Sequence, residues 1–159
     1  INSVFGAGTP RQDAKRLFFA WLYGAKKGIA PSHRQQLEKF YSPSSLLENY
    51  WDGDTITTPY GKVIPDVDKH HALNYLIQST AAELSLKQFI KVNYYLEQRA
   101  AKSFVSMILH DSIILDMSSK EAEFLKDIFY LVSSTNFGTF QLNISRGTSL
   151  GHMKGLSHG

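Results

Sequence analysis

The amino-acid sequence predicts an α+β fold in which helices pack on an antiparallel β-sheet that carries a His-Asp hairpin. The stretch from Asp68 to about Ala101 is rich in Ala, Leu, Gln and Lys, residues that favour a long helix. Two β-rich runs follow, Ser103–Leu109 and Ile113–Met117, and the polar tripeptide His110-Asp111-Ser112 separates them. Two such runs with a short polar connection are typical of a β-hairpin.

After the hairpin, the sequence predicts one more helix and one more strand. Ser118-Ser-Lys-Glu121 has the spacing of a capping box, which should open a helix that runs to about Ser133. Thr139–Ser145 alternates polar and apolar side chains, as a half-buried strand does. From residue 68 the order is therefore helix, strand, strand, helix, strand, which favours an antiparallel sheet with helices packed on it.

The first 64 residues predict shorter elements. Thr9 and Gln12 have capping-box spacing, Pro10 suits a first helical turn, and Gly24 is a stop signal after about Tyr23. The elements that follow are two short helices and a small hairpin with Tyr60-Gly61 near its turn: Ser32–Tyr41, Pro43–Trp51 and Thr55–Ile64.

The composition limits the possible classes of protein. With 159 residues, 43% of them apolar, the chain can form the core of one domain or one large subdomain. It has no apolar run of roughly 20 residues for a membrane span, no signal-peptide pattern at Ile1–Gly8 and no cysteine for a disulfide or a cysteine–zinc site. The first residue is Ile, so we expect a processed chain or a piece of a longer one.

Positive charge is concentrated near the N-terminus. Residues 1–40 contain seven Lys and Arg residues, Lys26 among them, against two carboxylates, a net charge of +5 within a total of +3. The rest of the chain therefore sums to −2. A basic region of this kind favours phosphate or nucleic acid as a partner, although a solvated helix face has the same composition.

Four residues of the first predicted helix form a stripe along one face, because they are spaced four apart: Arg11, Lys15, Phe19 and Tyr23. The two cations come at the N-terminal end, where the helix dipole already favours anions. A triphosphate with a base attached matches this order of charge followed by rings. The alternative is an ordinary amphipathic helix with solvated cations and core aromatics.

Two further polar pairs could carry chemistry. Asp111, presented with His110 at a hairpin tip, would be a rigidly placed ligand for a hard cation; a plain polar turn or a His-Asp metal phosphohydrolase are the alternatives. Asn74 and Gln78 lie one helical turn apart and could read base edges in a minor groove, although two solvated amides have the same spacing.

In combination and in order, these motifs resemble those of family A DNA polymerases, the group of bacterial polymerase I and many phage replicases. The resemblance covers about residues 9–150, and implies fingers helices in residues 1–54 and part of a polymerase palm in residues 55–159. The segments that carry it are similar to motif B, the FGR…PD segment, the N-x3-Q-G-T-A-A-D helix and motif C: Arg11-x3-Lys15-x3-Phe19-x3-Tyr23-Gly24, Tyr60-Gly61-Lys62 with Pro65-Asp66, Asn74-x3-Gln78-Ser-Thr-Ala-Ala-Glu83, and Leu109-His110-Asp111-Ser112.

The motif B resemblance implies that the N-terminal helix binds the incoming dNTP. Arg11 and Lys15 match the family's triphosphate-binding cations, and Lys15 matches the proton donor to pyrophosphate. Phe19 matches the aromatic residue that packs on the sugar and base of the nucleotide. Tyr23 matches the tyrosine at the templating position.

The other motifs imply contacts to primer–template DNA and to metal. Asn74 and Gln78 match polar groups near the primer–template terminus, and His110 matches a contact to the 3′ end of the primer. Asp111 matches one of two aspartates that hold two Mg²⁺ ions. The resemblance implies a magnesium-dependent, template-directed nucleotidyltransferase of DNA replication, located in the cytoplasm, or in the host cytoplasm if a phage encodes it.

The chain also departs from the family pattern. Ser112 replaces the usual Glu of motif C, while Ala20 and Ser79 replace usual glycines, and residues 24–55 are short for the family's fingers. Motif A, with the second metal-binding Asp, should lie upstream of motif B, where only eight residues precede Thr9. We therefore expect a divergent, phage-like enzyme that is inactive as this isolated chain and needs an upstream segment or a separate chain to supply motif A. A non-catalytic nucleic-acid-binding remnant is the alternative.

Overall fold

The computed structural model describes residues 2–6, 8–25 and 27–156, and it confirms a mixed α+β fold with small antiparallel sheets. The described chain forms two compact units, one that ends at Ala81 and one that begins at Ala82. Each unit has its own hydrophobic core. The functional division of the chain between residues 54 and 55 stays a prediction.

The first unit contains the predicted short helices and the first hairpin. Its elements are α1 (Asn2–Phe5), α2 (Arg11–Leu22), α3 (Pro31–Phe40), α4 (Pro43–Tyr50), β1 (Ile56–Thr57), β2 (Val63–Ile64) and the first part of α5 (Lys69–Gln98). The predictions for α2, α3, α4 and the β1–β2 hairpin are confirmed within one or two residues. Gly24 and Gly61 both have φ above +80°, as a helix stop and a tight turn require.

Two clusters of buried side chains hold the first unit together. One joins α1, α2 and α3 through Phe5, Ala14, Trp21 and Leu37, of which Ala14 and Leu37 are fully buried. The other joins the β1–β2 hairpin to the start of α5; its buried members are Ile56, Val67, Ala72 and Leu76.

The predicted capping box at the start of α2 is wrong. The Thr9 hydroxyl donates to the Phe5 carbonyl over 2.6 Å and does not bond to the helix that follows. Pro10 occupies the capping position in an extended conformation, and no side chain caps the first turn. The hydroxyl of Thr9 therefore stabilises the end of α1 and not the beginning of α2.

The second unit contains the predicted hairpin and helix. Its elements are the second part of α5, β3 (Phe104–Leu109), β4 (Ser112–Asp116), α6 (Phe124–Ser133), β5 (Ser134–Thr135), β6 (Gly138–Thr139), β7 (Ile144–Arg146) and β8 (Lys154–Leu156), with 3₁₀ turns at Ser119–Glu121 and Leu150–His152. The strands pair only as neighbours, β1–β2, β3–β4, β5–β6 and β7–β8, so every sheet of the described chain has two strands.

The β3–β4 hairpin is anchored on α5 and α6. Its inward side chains, Val105, Ile113 and Leu115, pack against the buried residues Val92, Leu96 and Ile128. The register pairs Leu109 with Ser112, so the connecting loop has two residues. The hairpin prediction is confirmed, and the loop is His110-Asp111.

The predicted strand Thr139–Ser145 is wrong as a single element. Thr139 is the last residue of β6 and pairs with Ser134. Ile144 is the first residue of β7 and pairs with Leu156. The backbone between them leaves the ladder, and the Phe140 N–H instead donates to the Ser133 carbonyl over 2.9 Å. The alternation of polar and apolar residues did not reveal that two different hairpins share the segment.

The predicted capping box at Ser118–Glu121 is also wrong. Residues 119–121 form a 3₁₀ turn, and α6 begins only at Phe124. The Glu121 carboxylate accepts from the backbone N–H groups of Lys102 and Ser103, over 2.9 and 2.8 Å, so it closes the base of the β3–β4 hairpin. Within the described residues, no helix is both long and apolar enough to cross a bilayer.

Candidate functional site

Helix α2 presents a cation followed by two aromatic rings along one face. The Lys15 Nζ atom lies 5.8 Å from the centroid of the Phe19 ring. The Phe19 ring is stacked on the Tyr23 ring, with centroids 5.9 Å apart and planes only 9° from parallel. Arg11, Lys15 and Phe19 are exposed, and Tyr23 is half-buried. These contacts follow from the four-residue spacing, because side chains at i and i+4 lie one above the other on a helix.

This face is exposed because the opposite face of α2 supplies the core. Ala14 and Trp21 on this opposite face are buried. Phe18 makes an edge-to-face contact with Tyr41, a neighbour of Trp21, and the two ring centroids lie 5.5 Å apart. Arg11 is the first residue of the helix, where free backbone N–H groups already attract anions. The face can therefore hold a negative group at its N-terminal end and a flat ring further along. Lys26, part of the predicted basic region, lies outside the described residues.

Asn74 and Gln78 form a single hydrogen-bonded pair on α5. Gln78 Nε2 donates to Asn74 Oδ1 over 2.9 Å. Asn74 is half-buried and Gln78 is exposed. The bond fixes the two amides relative to each other and leaves Asn74 Nδ2 as a donor, the group that an acceptor in a minor groove would need. The Thr80 hydroxyl donates to the Leu76 carbonyl, one turn earlier in the same helix, over 2.7 Å.

Asp111 lies at the tip of the β3–β4 hairpin, as predicted. His110, the first loop residue, has φ of 54°, a left-handed conformation that His adopts more readily than β-branched residues do. Both loop residues are exposed. The Ser112 hydroxyl donates to the Asp111 carboxylate at 3.5 Å, the limit of such a contact. The paired strands thus present an exposed carboxylate at the end of the hairpin.

The described residues do not by themselves fit a pair of magnesium ions. Mg²⁺ takes about six oxygen ligands in octahedral geometry. Asp111 supplies one carboxylate, and its neighbour Ser112 has only a hydroxyl where a second carboxylate could have stood. Across residues 2–6, 8–25 and 27–156 there is no group of three or more His, Cys, Asp or Glu side chains that could hold a metal ion.

Glu121 supports the hairpin that carries Asp111. In addition to its two backbone bonds, it accepts the Ser103 hydroxyl over 2.6 Å, and the same Ser103 oxygen accepts the Ser118 N–H over 2.9 Å. The hydrogen bond from the Ser103 hydroxyl, followed by those from the two backbone N–H groups, lowers the pKa of Glu121 below its usual range. The carboxylate form is therefore the one that closes the hairpin.

A second polar cluster, at the start of α5, was missed by the sequence reading. Asp68 Oδ1 accepts from the backbone N–H of His70 at 2.8 Å, and Asp68 Oδ2 lies 2.7 Å from His71 Nδ1. The side-chain bond with His71 is the main reason why the pKa of Asp68 is lowered, and the helix N–H groups add to it. An Asp directly before a helix is a standard capping signal, so this cluster could have been found.

The structure brings together Lys15, Phe19 and Tyr23 on one helix and Asn74 with Gln78 on another. Asp111 belongs to the other compact unit, and its relation to the α2 face stays a prediction. No protein-family model, no curated protein and no solved structure matches this chain.

Proposed function

We propose that this chain is the C-terminal fingers-and-palm portion of a family A, DNA-directed DNA polymerase. The observation that supports this function best is the α2 face, where an exposed cation, an exposed ring and a second ring stacked on it follow one another. From Arg11 to Tyr23 the face spans about 18 Å, at 1.5 Å per residue. A dNTP has the same order of groups: a triphosphate, a sugar and a flat base.

On this proposal, α2 binds the incoming nucleotide. Arg11 and Lys15 pair with the triphosphate, assisted by the N-terminal N–H groups of the helix. Phe19 packs on the sugar and base, and its stacking on Tyr23 keeps the ring in place. Lys15 can also donate a proton to the departing pyrophosphate, since its ammonium group is held beside the triphosphate.

The other site residues contact DNA. Asn74 and Gln78 donate to acceptors that all base pairs share in the minor groove, so they hold a primer–template end without reading its sequence. His110 contacts the 3′ end of the primer. Asp111 contributes one carboxylate to the two-Mg²⁺ site of the complete enzyme, and an upstream segment or a separate chain that carries motif A supplies the rest.

The test is primer extension in a reconstituted enzyme. A palm segment with an Asp-Tyr-Ser-like motif A is supplied by fusion or as a second chain, and magnesium-dependent extension of a labelled primer is measured. We expect extension with both parts present and background with this chain alone. Asp111→Ala should reduce the rate by about 10³-fold, because a lost ligand removes charge stabilisation that no neighbour replaces.

The matched control is the adjacent residue. Ser112→Ala should leave the rate nearly unchanged, since a hydroxyl is a poor substitute for a metal-binding carboxylate. Equal rates for the Asp111→Ala and Ser112→Ala enzymes would make Asp111 a turn residue and overturn the proposed chemistry. DNA binding that falls with salt at a log–log slope of about −0.9 per phosphate, without extension in any combination, would favour the non-catalytic binding remnant.

A further inference from the structure

The β7–β8 hairpin of the second unit places two cations directly opposite each other. The strands pair antiparallel, and Arg146 of β7 is the partner of Lys154 of β8 in the register. Side chains directly opposite in such a ladder lie on the same face, with Cβ atoms about 4.5–5.5 Å apart. Both side chains are exposed. One face of the hairpin therefore presents two adjacent positive charges to solvent.

No carboxylate offsets these two charges within the part of the chain that the structure describes. The sequence from residue 128 to residue 156 contains neither Asp nor Glu. The ion pairs formed among the described residues involve neither Arg146 nor Lys154. Like charges directly opposite each other destabilise an antiparallel pair of strands. An anion bound between the two side chains would replace this repulsion by attraction of both cations to a shared charge.

The surroundings of the pair leave this face open. Strands β7 and β8 contact each other and make few contacts with the other described elements. The next pair on the same face consists of Ile144 and Leu156, because alternate residues of a strand share a face. Both are apolar and supply no counter-charge, and Leu156 is itself exposed. An anion could therefore reach both cations directly from solvent.

The loop that joins the two strands holds the cations in register. Gly147 follows Arg146, and a Cβ atom at Gly147 would lie 2.5 Å from the backbone oxygen of His152. The Ser149 hydroxyl and His152 Nδ1 lie 2.9 Å apart, and the His152 N–H donates to the Ser149 carbonyl over 3.0 Å. This compact loop fixes the strand register, so part of the ordering that binding requires is already present.

The chemistry of the two side chains favours one kind of anion. The Arg146 guanidinium offers a planar fork that matches two oxygens of one phosphate, and the Lys154 ammonium adds a compact positive charge. Their two positive charges match the nearly double negative charge of a phosphate monoester at neutral pH. A phosphodiester in a nucleic-acid backbone carries only one negative charge. The pair is therefore better suited to a dianionic phosphate group than to a backbone phosphate.

We propose that Arg146 and Lys154 form a binding site for a dianionic phosphate group, presented by a free phosphate compound or by the terminal phosphate of a nucleic acid. The site goes beyond the proposed function and does not depend on it, because it uses none of the residues assigned to dNTP, DNA or metal. A two-stranded hairpin is only marginally stable by itself. A ligand that bridges the strands therefore stabilises the hairpin as well.

The experiment titrates the full chain with inorganic phosphate, phenyl phosphate and dimethyl phosphate, at about pH 7.5 and at constant ionic strength so that general screening does not change. The NMR amide signals of residues 144–156 report binding. Phosphate and phenyl phosphate should shift these signals saturably, whereas dimethyl phosphate, a singly charged diester, should bind about fivefold more weakly. Arg146→Gln and Lys154→Gln should each weaken the binding of phenyl phosphate by about fivefold. Lys126→Gln, which removes an exposed cation from α6, is the matched control and should leave the binding unchanged.

Folding of the variants is checked without phosphate. Each substitution by Gln relieves the like-charge repulsion, so the hairpin signals should stay as dispersed as in the parent. Equal affinities for dimethyl phosphate and phenyl phosphate would overturn the site. So would phenyl phosphate binding that survives unchanged in both the Arg146→Gln and Lys154→Gln proteins, or a loss of the same size in the Lys126→Gln protein.

A DNA duplex with and without a 5′ phosphate distinguishes the two sources of the phosphate group. A gain in affinity from the 5′ phosphate that Lys154→Gln removes assigns the site to a nucleic-acid end. Binding of phenyl phosphate without this gain assigns it to a free phosphate compound. Failure of both duplexes to bind contradicts the proposed function and leaves the phosphate site intact, so the two proposals fail separately.

Discussion

Glu121 and Ser103 are joined twice, by the Ser103 hydroxyl at 2.6 Å and by the Ser103 backbone N–H at 2.8 Å, both to Glu121 Oε2. The pair ties the 3₁₀ turn before α6 to the residue that precedes β3. Since β3 leads directly to the loop that holds Asp111, this contact fixes one end of the element on which the proposed metal ligand is carried.

The Glu121 contact predicts a pH dependence of stability. The lowered pKa of Glu121 means that the folded state favours its carboxylate form. The contribution of this carboxylate to the stability of the folded state is therefore complete above about pH 4.3, the ordinary pKa of Glu. It is lost as the pH falls through the lowered pKa of the folded state. Glu121→Gln should therefore lower the thermal midpoint at pH 7, and the difference from the parent should shrink in acid. Glu48→Gln, an exposed matched control, should do neither; a constant difference from pH 7 to pH 3 would contradict the ionic contribution.

The outcome at the helix starts shows where sequence reasoning succeeds and where it stops. The existence of α2, α5 and the β3–β4 hairpin was predictable, because composition and alternation are local properties. The capping boxes at Thr9 and Ser118 had the right spacing, but spacing does not reveal a stronger partner elsewhere. Glu121 bonds to Ser103, 18 residues away, and such a contact becomes visible only in the folded chain.

The side-chain contacts in the first unit also fall into those that the sequence predicts and those that it does not. The contacts among Lys15, Phe19 and Tyr23 follow from helix geometry alone, so four-residue spacing was enough to predict them. The ring contacts of Tyr41 with Phe18 and Trp21, by contrast, form only after α3 packs on α2. No local pattern around Tyr41 distinguishes it from other surface tyrosines, and the sequence reading therefore missed it.

Gln88 predicts a measurable loss of stability in the second unit. This side chain is 3% exposed, and its Nε2 donates to the carbonyls of Leu131 and Ser134, each over 2.6 Å. Gln88→Ala leaves both carbonyls without this donor and should lower the free energy of unfolding by about 1–3 kcal/mol. Chemical denaturation measures it, with exposed Gln98→Ala on the same helix as the control. A free energy of unfolding for the Gln88→Ala protein equal to that of the Gln98→Ala protein would show that the two hydrogen bonds of Gln88 add no stability.

Replacement of Lys15 should specifically impair the use of nucleotides by the reconstituted enzyme. Lys15→Ala removes a triphosphate contact and the proposed proton donor, and should lower kcat/KM for dNTP by about 10²-fold. Arg16 is the matched control, because it lies about 100° further round the helix and pairs with Asp13 at 3.6 Å. Arg16→Ala should have a small effect that added salt cancels. Comparable losses in both proteins would indicate a general attraction by positive charge and not a triphosphate site.

Two substitutions of Phe19 should separate the effect of losing the ring from the effect of adding a hydroxyl group to it. Phe19→Ala removes the cation–π contact with Lys15 and the stack on Tyr23, so the KM for dNTP should rise by about tenfold, the loss of one aromatic stacking contact.

Phe19→Tyr retains the ring and should change KM little, but it adds a hydroxyl beside the nucleotide sugar. On the proposed function, this hydroxyl should alter discrimination against nucleotides that lack the 3′ hydroxyl. Competition between dNTP and dideoxynucleotide in primer extension measures the ratio, with Tyr130→Phe in the other unit as the control. An unchanged ratio for Phe19→Tyr, together with an unchanged KM for Phe19→Ala, would remove Phe19 from the nucleotide site.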